Sequence, residues 1–147
     1  MGNLLILNGS PRAPRSNSRR YAQIFSSCYG ENTEYFDISK RNHPELCAKL
    51  AGTSHVLFVF PLYADGLPVT LLNFLKSLEA APPQNKPAVS VLINCGFLEP
   101  QQNEMAVEMM RLFCRQNHYP FGSVLKIGSG EAILDSPFRF LAVRKIR

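Results

Sequence analysis

Three almost uninterrupted apolar runs constrain the fold of this chain more than any other feature. They lie within Leu4–Leu7, His55–Pro61 and Ala88–Asn94. A strand that is buried on both faces has a continuous apolar sequence, whereas a half-exposed strand alternates polar and apolar residues. Both faces are buried when helices cover a parallel sheet on each side. These runs therefore predict central strands of such a sheet.

Segments with helical spacing separate these strands along the chain. Two weaker strand patterns, Thr33–Ile38 and Ser123–Gly130, complete the alternation, and the first of them is mixed enough to suggest an edge strand. The order β-α-β-α-β-α-β-α-β with short connections predicts one three-layer, doubly wound α/β domain over residues 1–147, with a five-stranded parallel sheet. The predicted helices are Ser18–Cys28, Pro44–Leu50, a segment that begins at Pro68, and Gln102–Gln116.

The segment after the fifth strand departs from this pattern. Residues 132–147 are interrupted by Pro137, so we expect the final helix of the domain to be short or missing. This atypical C-terminal segment leaves open what covers the sheet face next to the first helix.

Composition excludes several function classes. The 16 basic and 11 acidic residues give a net charge of +5, but no run of five or more Lys or Arg occurs, so we expect no nucleic-acid partner. No apolar stretch approaches the roughly 20 residues of a membrane span, and no signal peptide is recognisable, which predicts a cytoplasmic protein without membrane contact. The four cysteines match no metal-ligand spacing, so reduced thiols and no metal site are expected.

The loop "NGSPRAPRSNS" after the first strand combines hydroxyls, an amide and cations at a helix N-terminus. No acidic residue precedes Glu31. Exposed N–H groups and the helix dipole favour an anion at such a position. A plain capping loop is the alternative, since Ser and Asn also cap helices that bind nothing. Neither a nucleoside-triphosphate P-loop nor a dinucleotide fingerprint is present. The candidate phosphate-binding residues are Ser10, Arg12, Ser16, Asn17 and Ser18.

Two later loops are expected at the same edge of the sheet, because ligands of open parallel sheets bind outside the carboxyl ends of the strands. In "PLYADGLPVTLLNFL", Tyr63 lies beside Gly66, and an aromatic side chain next to compliant backbone suits a flat heteroaromatic ring. The alternative is that Tyr63 only closes the end of its strand. The loop "NCGFLEP" repeats the pattern with Gly96 and Phe97.

Together these loops resemble the flavodoxin-like fold and, within it, the NADPH-dependent FMN reductase family and its NAD(P)H oxidoreductase relatives. The resemblance covers about residues 3–131 and implies the strand order 2-1-3-4-5, bound FMN, NADPH or NADH as electron donor, and a homodimer. One departure is Leu72, which stands where the family usually has Lys. By this resemblance the phosphate residues above hold the FMN phosphate, and the flavin ring is bordered by Pro61, Leu62, Tyr63, Ala64, Gly66, Asn94, Gly96 and Phe97.

The resemblance implies an enzyme that passes electrons from a nicotinamide through FMN to a small acceptor, such as a quinone, a nitro or azo compound, or a flavin. No catalytic side chain is expected, because flavin itself carries this chemistry. Two alternatives stay open. One is a flavodoxin-type electron carrier, which the positive net charge disfavours because such carriers are generally acidic. The other is a non-catalytic domain that binds some phosphate ligand or has lost its flavin.

Overall fold

Five strands alternate with four helices in the computed structural model, which describes residues 4–11, 17–29, 32–61, 66–94 and 104–127. The strands and helices lie where the sequence predicts them, within a few residues at each end. Their bounds are β1 Leu4–Asn8, α1 Asn17–Tyr29, β2 Thr33–Asp37, α2 His43–Ala51, β3 His55–Pro61, α3 Val69–Ala80, β4 Ala88–Asn94, α4 Glu104–Asn117 and β5 Phe121–Ile127.

All neighbouring strands pair in parallel, in the order β2-β1-β3-β4-β5. Leu4 at the start of β1 lies opposite Thr33 of β2 and His55 of β3. At the other end of the sheet, Pro61 of β3 lies opposite Asn94 of β4. The predicted parallel sheet and its strand order are confirmed, and β2 lies at the edge as its mixed sequence indicates.

Helices cover the sheet on both faces, which explains the continuous apolar runs. Alternate residues of β1 point to opposite faces, so Leu5 and Leu7 join the core beneath α2, α3 and α4. Leu4 and Ile6 pack on the other face with residues of α1. Because every residue of β1 is buried, no position of that strand needs a polar side chain for solvent. The protein is a three-layer α/β domain.

Helical periodicity explains which residues of α3 and α4 are buried. In α4, Ala106, Met110 and Phe113 are buried, as their spacing predicts. In α3, the leucine-rich sequence predicts an inner face that includes Leu71, Leu72, Leu75 and Leu78, but Leu72 is only half-buried. Phe74 takes its place, because the i, i+3, i+4, i+7 positions of this helix begin at Leu71.

Several sequence predictions concern residues outside the described ranges. The expected absence of a full final helix falls on residues 132–147 and stays a prediction. Of the cysteines, Cys47 is half-buried and Cys114 is buried, and both are free thiols. Burial raises the pKa of the Cys114 thiol to about 12. Among the described residues, no helix is long and apolar enough to cross a membrane, and no cluster of three or more His, Cys, Asp or Glu has the arrangement of a metal site.

Candidate functional site

The carboxyl ends of β1 and β3 form the point where the strand order reverses. From β1 the chain moves outward to β2, and from β3 it moves in the opposite direction to β4. The ladder continues one residue past β1, since the Gly9 N–H donates to the Val59 carbonyl oxygen at 2.9 Å. The loops after β1 and β3 therefore leave the sheet side by side, which is the usual ligand position of open α/β sheets.

Several predicted site residues lie at this edge. Ser10 follows β1 and Ser18 lies in the first turn of α1, and each is only 1% exposed. Pro61 ends β3, and Gly66 precedes α3. The backbones of Asn17 and Asn94 start α1 and end β4, respectively.

The other predicted site residues lie outside the described ranges, so their contacts stay predictions. So do the side chains of Asn17 and Asn94. The residues outside are Arg12, Ser16, Leu62, Tyr63, Ala64, Gly96 and Phe97.

The first turn of α1 carries no acidic residue. The N–H groups of a first helical turn have no partner within the helix, and together with the helix dipole they create positive potential. Ser18 adds a hydroxyl within that turn, and Ser10 brings a second hydroxyl from the end of β1. This end of the helix therefore has the chemistry of an anion site.

Two glycines allow α3 and α4 to approach the sheet edge closely. A Cβ atom on Gly9 would lie 3.1 Å from the Cβ atom of Leu71 in α3. A Cβ atom on Gly66 would lie 3.1 Å from the sulfur atom of Met109 in α4. Gly9 is the tighter constraint, since a Cβ atom is fixed to its backbone whereas a methionine sulfur can move.

A polar cluster around the buried Asn8 joins the start of the loop after β1 to the edge strand β2. Asn8 is fully buried, and its Nδ2 donates to the Tyr35 hydroxyl oxygen at 2.9 Å and to Asp37 Oδ1 at 3.2 Å. Its Oδ1 accepts from the Ser10 N–H at 2.9 Å. Sequence reasoning missed this cluster. The available signal was the polar residue that ends the apolar run of β1, but its partners lie 27 and 29 residues away.

Asp37 brings a carboxylate close to the candidate anion site. Its Oδ2 pairs with Arg19 Nη1 at 3.3 Å, and its Oδ1 accepts a hydrogen bond from the Tyr35 hydroxyl. The Arg19 guanidinium also lies over the Tyr35 ring, 5.2 Å from its centroid. Burial, and then the hydrogen bond to Asp37, raise the pKa of Tyr35 well above its ordinary value. Tyr35 thus stays protonated as a donor, and Arg19 balances the carboxylate.

Two of the described histidines, His43 and His55, belong to other parts of the fold. The His43 Nδ1 and the Ser77 Oγ lie 2.8 Å apart between α2 and α3. The His55 Nε2 lies 2.9 Å from the Ser90 Oγ at the amino end of β3, the edge opposite the candidate site. Burial lowers the pKa of His55, which favours the neutral form of its ring. Neither residue has the position of an acid or base at the candidate site.

A groove of about 760 Å³ lies between α2 and α3. Its walls include His43, Cys47, Ser77 and Pro83, and none of the predicted site residues lines it. The chemistry of hydroxyls, helix N-terminus and paired charges lies at the carboxyl edge of β1.

No protein-family model and no curated protein sequence matches the chain, but solved structures do. An NADPH-quinone reductase from P. pentosaceus superposes with a TM-score of 0.73 at 13% identity, over 100% of this chain and 98% of its own. A flavodoxin from Streptococcus pneumoniae gives a TM-score of 0.67 at 13% identity, over 98% of this chain and 97% of its own. The fold is flavodoxin-like. An FMN-dependent NADH-azoreductase from Bacillus anthracis shares this flavodoxin-like fold, with a TM-score of 0.69 and 12% identity over 99% of this chain and 96% of its own.

Proposed function

We propose that this flavodoxin-like domain binds FMN and acts as an NAD(P)H-dependent oxidoreductase on a small electron acceptor. One observation carries the proposal. Ser10, just after β1, and Ser18, in a first turn of α1 that carries no acidic residue, are both buried at the point where the strand order reverses. A phosphate group is the anion that such a set of hydroxyl and backbone donors suits.

The donor set fits the phosphate end of FMN. Phosphate oxygens only accept hydrogen bonds, and the serine hydroxyls and first-turn N–H groups can donate them. The nearby Asp37 carboxylate does not oppose this fit, because its two oxygens interact with Tyr35, Asn8 and Arg19. We assign Arg12, Ser16 and Asn17 to the same phosphate, and Tyr63, Gly96 and Phe97 to the flavin ring, on the sequence resemblance alone.

Bound FMN would supply the redox chemistry, by accepting hydride from a nicotinamide and passing electrons to the acceptor. The chain's own part is to hold the phosphate at α1 and to present the ring beside the loop between Pro61 and Gly66. No proton-transferring side chain is required of the protein. The names of two structural neighbours, an NADPH-quinone reductase and an FMN-dependent NADH-azoreductase, support this assignment of donor and acceptor class.

A flavodoxin-type electron carrier is the second candidate, and the structural likeness to a flavodoxin favours it. The net charge of +5 argues against it, because flavodoxin-type carriers are generally acidic. A carrier would take electrons from a separate reductase and would not turn over NADPH with a small acceptor.

The test is to purify the protein, titrate it with FMN, and follow NADPH and NADH oxidation with a quinone. We expect flavin absorbance bands on the bound protein and steady oxidation of at least one nicotinamide. Binding without turnover would favour the carrier. A protein that ignores added FMN would contradict both redox functions and leave a non-catalytic phosphate-binding domain.

We further propose a homodimer for this enzyme. Three large apolar side chains are strongly exposed among the described residues, and all lie on α3 or α4: Val69, Met105 and Leu112. Met105 and Leu112 are seven residues apart and share one face of α4, and Val69 and Met105 belong to the first turns of their helices. A second copy covering the exposed face of α4 would remove Met105 and Leu112 from solvent.

A further inference from the structure

We propose that Asn8 is a positioning residue that orients the loop after β1 toward the phosphate of the ligand. It does so by tying the first backbone N–H of that loop to the edge strand β2. The inference rests on the proposed function and deepens it, since it names a residue that neither the resemblance nor the loop motif assigns.

The first step of the argument is the orientation of the Asn8 amide. On one side of Asn8 lie two acceptors, the Tyr35 hydroxyl oxygen and Asp37 Oδ1, at 2.9 and 3.2 Å from Nδ2. The Tyr35 proton is directed at Asp37, so the hydroxyl oxygen presents a lone pair to Asn8. A reversed amide would place its carbonyl against the carboxylate. The NH₂ group therefore faces β2.

The second step follows from that orientation. With Nδ2 toward β2, the Asn8 Oδ1 is aimed at the Ser10 N–H and accepts from it at 2.9 Å. Both residues are buried, Asn8 fully and Ser10 to within 1%, so a broken bond there would not be replaced freely by solvent. The direction in which the loop leaves β1 is thus coupled to the edge strand.

The third step concerns what Ser10 offers to a ligand. Its N–H group is used by Asn8, so the contribution of Ser10 to a phosphate is its hydroxyl. The position of that hydroxyl depends on the backbone that Asn8 holds. Misplacement of donors by a fraction of an ångström weakens binding of the group they contact, while contacts elsewhere on the ligand are unaffected. Replacing Asn8 is therefore predicted to weaken binding of ligands that carry the phosphate more than binding of ligands that lack it.

The test compares Asn8→Ala with Asn42→Ala. Asn42 is a matched control, because its amide likewise joins a strand end to a loop, donating to the Asp37 carbonyl oxygen at 2.8 Å and accepting from the Ser39 N–H at 2.9 Å. It lies after β2 and not after β1. Both variants remove one bridging amide, but only Asn8→Ala releases Ser10.

Two readouts are made on each variant: hydrogen exchange of the Ser10 amide in the protein alone, and dissociation constants for FMN and for riboflavin, which lacks the phosphate. We expect Asn8→Ala to speed exchange of the Ser10 amide at least tenfold. We also expect it to weaken the binding of FMN about tenfold more than the binding of riboflavin. Asn42→Ala should leave the exchange rate and the FMN-to-riboflavin ratio within twofold of the parent protein. Asn8→Ser, whose shorter side chain cannot reach both β2 and the Ser10 N–H, replaces Asn8→Ala should that variant fail to fold.

The outcomes separate this inference from the proposed function. Unchanged exchange of the Ser10 amide in a folded Asn8 variant overturns the inference. Faster exchange together with equal losses of affinity for FMN and riboflavin also overturns it, because the variant would then affect the whole flavin site and not the phosphate contacts. A parent protein that binds neither flavin overturns the proposed function and with it the ligand role of Asn8, whereas the exchange result still decides whether Asn8 anchors the loop.

Discussion

Arg19 in the first turn of α1 and Asp37 at the end of β2 form an ion pair, with Nη1 and Oδ2 3.3 Å apart. The pair joins the N-terminus of the first helix to the edge strand. It also balances the acidic group that the fold brings close to the candidate phosphate site. The side chains are partly exposed, 37% for Arg19 and 27% for Asp37, so the pair matters more for the local potential than for stability.

Replacing Arg19 with Ala should weaken FMN binding, because it removes a cation near the phosphate and leaves the Asp37 charge unbalanced. We expect a loss of about three- to tenfold, or roughly 0.7–1.4 kcal/mol, measured by fluorescence titration at low salt. Stability should change by less than about 1 kcal/mol. Lys49→Ala is the control, since it breaks a comparable pair with Glu34 at 3.4 Å away from the site. Equal effects of both variants would contradict a local role for Arg19.

Placing a carboxylate at Ser10 should abolish FMN binding. The Asp side chain of Ser10→Asp would face the phosphate at the same helix N-terminus, and two anions in one partly desolvated site repel strongly. We expect a loss of at least about 100-fold in FMN affinity, given the several kcal/mol of such repulsion at close range. Ser10→Ala, which adds no charge, should show a smaller loss of about tenfold, the size of one hydrogen bond to a charged group. Circular dichroism checks that both variants are folded, and unchanged FMN affinity in Ser10→Asp would refute the assigned site.

The two close glycine contacts should differ in their tolerance of a methyl group. Gly9→Ala places a Cβ against the backbone-fixed Cβ of Leu71, so α3 must shift, and we expect a destabilisation of about 1–3 kcal/mol. Gly66→Ala meets only the mobile sulfur of Met109, and we expect less than about 1 kcal/mol. Urea denaturation measures both. A larger loss of stability for Gly66→Ala than for Gly9→Ala would show that the contact of α3 with Gly9 is not the tighter of the two.

The free energy of unfolding should decrease at acid pH because His55 resists protonation in the folded protein. Burial lowers the pKa of this ring in the folded protein, so the unfolded chain binds a proton more readily. The stability contributed by neutral His55 is therefore complete above the unfolded pKa of about 6.5 and is lost as the pH falls toward the folded pKa. His55→Gln keeps a hydrogen-bonding partner for Ser90 but does not titrate. The difference in unfolding free energy between pH 8 and pH 5.5 should be smaller for this variant than for the parent protein; identical differences would exclude His55 as the source.

A charge on the exposed apolar face should prevent dimerisation. Met105 and Leu112 are 57% and 47% exposed on one face of α4. We expect the parent protein to elute as a dimer in size-exclusion chromatography with light scattering, and Leu112→Glu to shift it to the monomer because a buried unpaired charge is costly. Gln23→Glu, at an exposed position of α1 on the other face of the sheet, serves as the control. A monomeric parent protein would contradict the proposed homodimer.

The candidate site could be predicted only where its signal is local. Ser10 and Ser18 belong to one polar loop and one helix start, so a short stretch of sequence was enough to propose them. Asn8 was missed although it begins the same loop, because a single Asn after an apolar run fits many roles. Its role depends on Tyr35 and Asp37, which lie on another strand and carry no motif of their own.

The amino-acid sequence by itself determined the alternation of buried strands and amphipathic helices, because each of those patterns depends on neighbours a few residues apart. His55–Pro61 and Ala88–Asn94 were predicted with the bounds that the structure shows. The tertiary structure alone decided that Asp37 lies opposite Asn8 in the β1–β2 pair. Strand register is a relationship between distant segments, set by how whole helices and strands pack. That register brings a carboxylate, its arginine and a bridging amide to the start of the candidate phosphate loop.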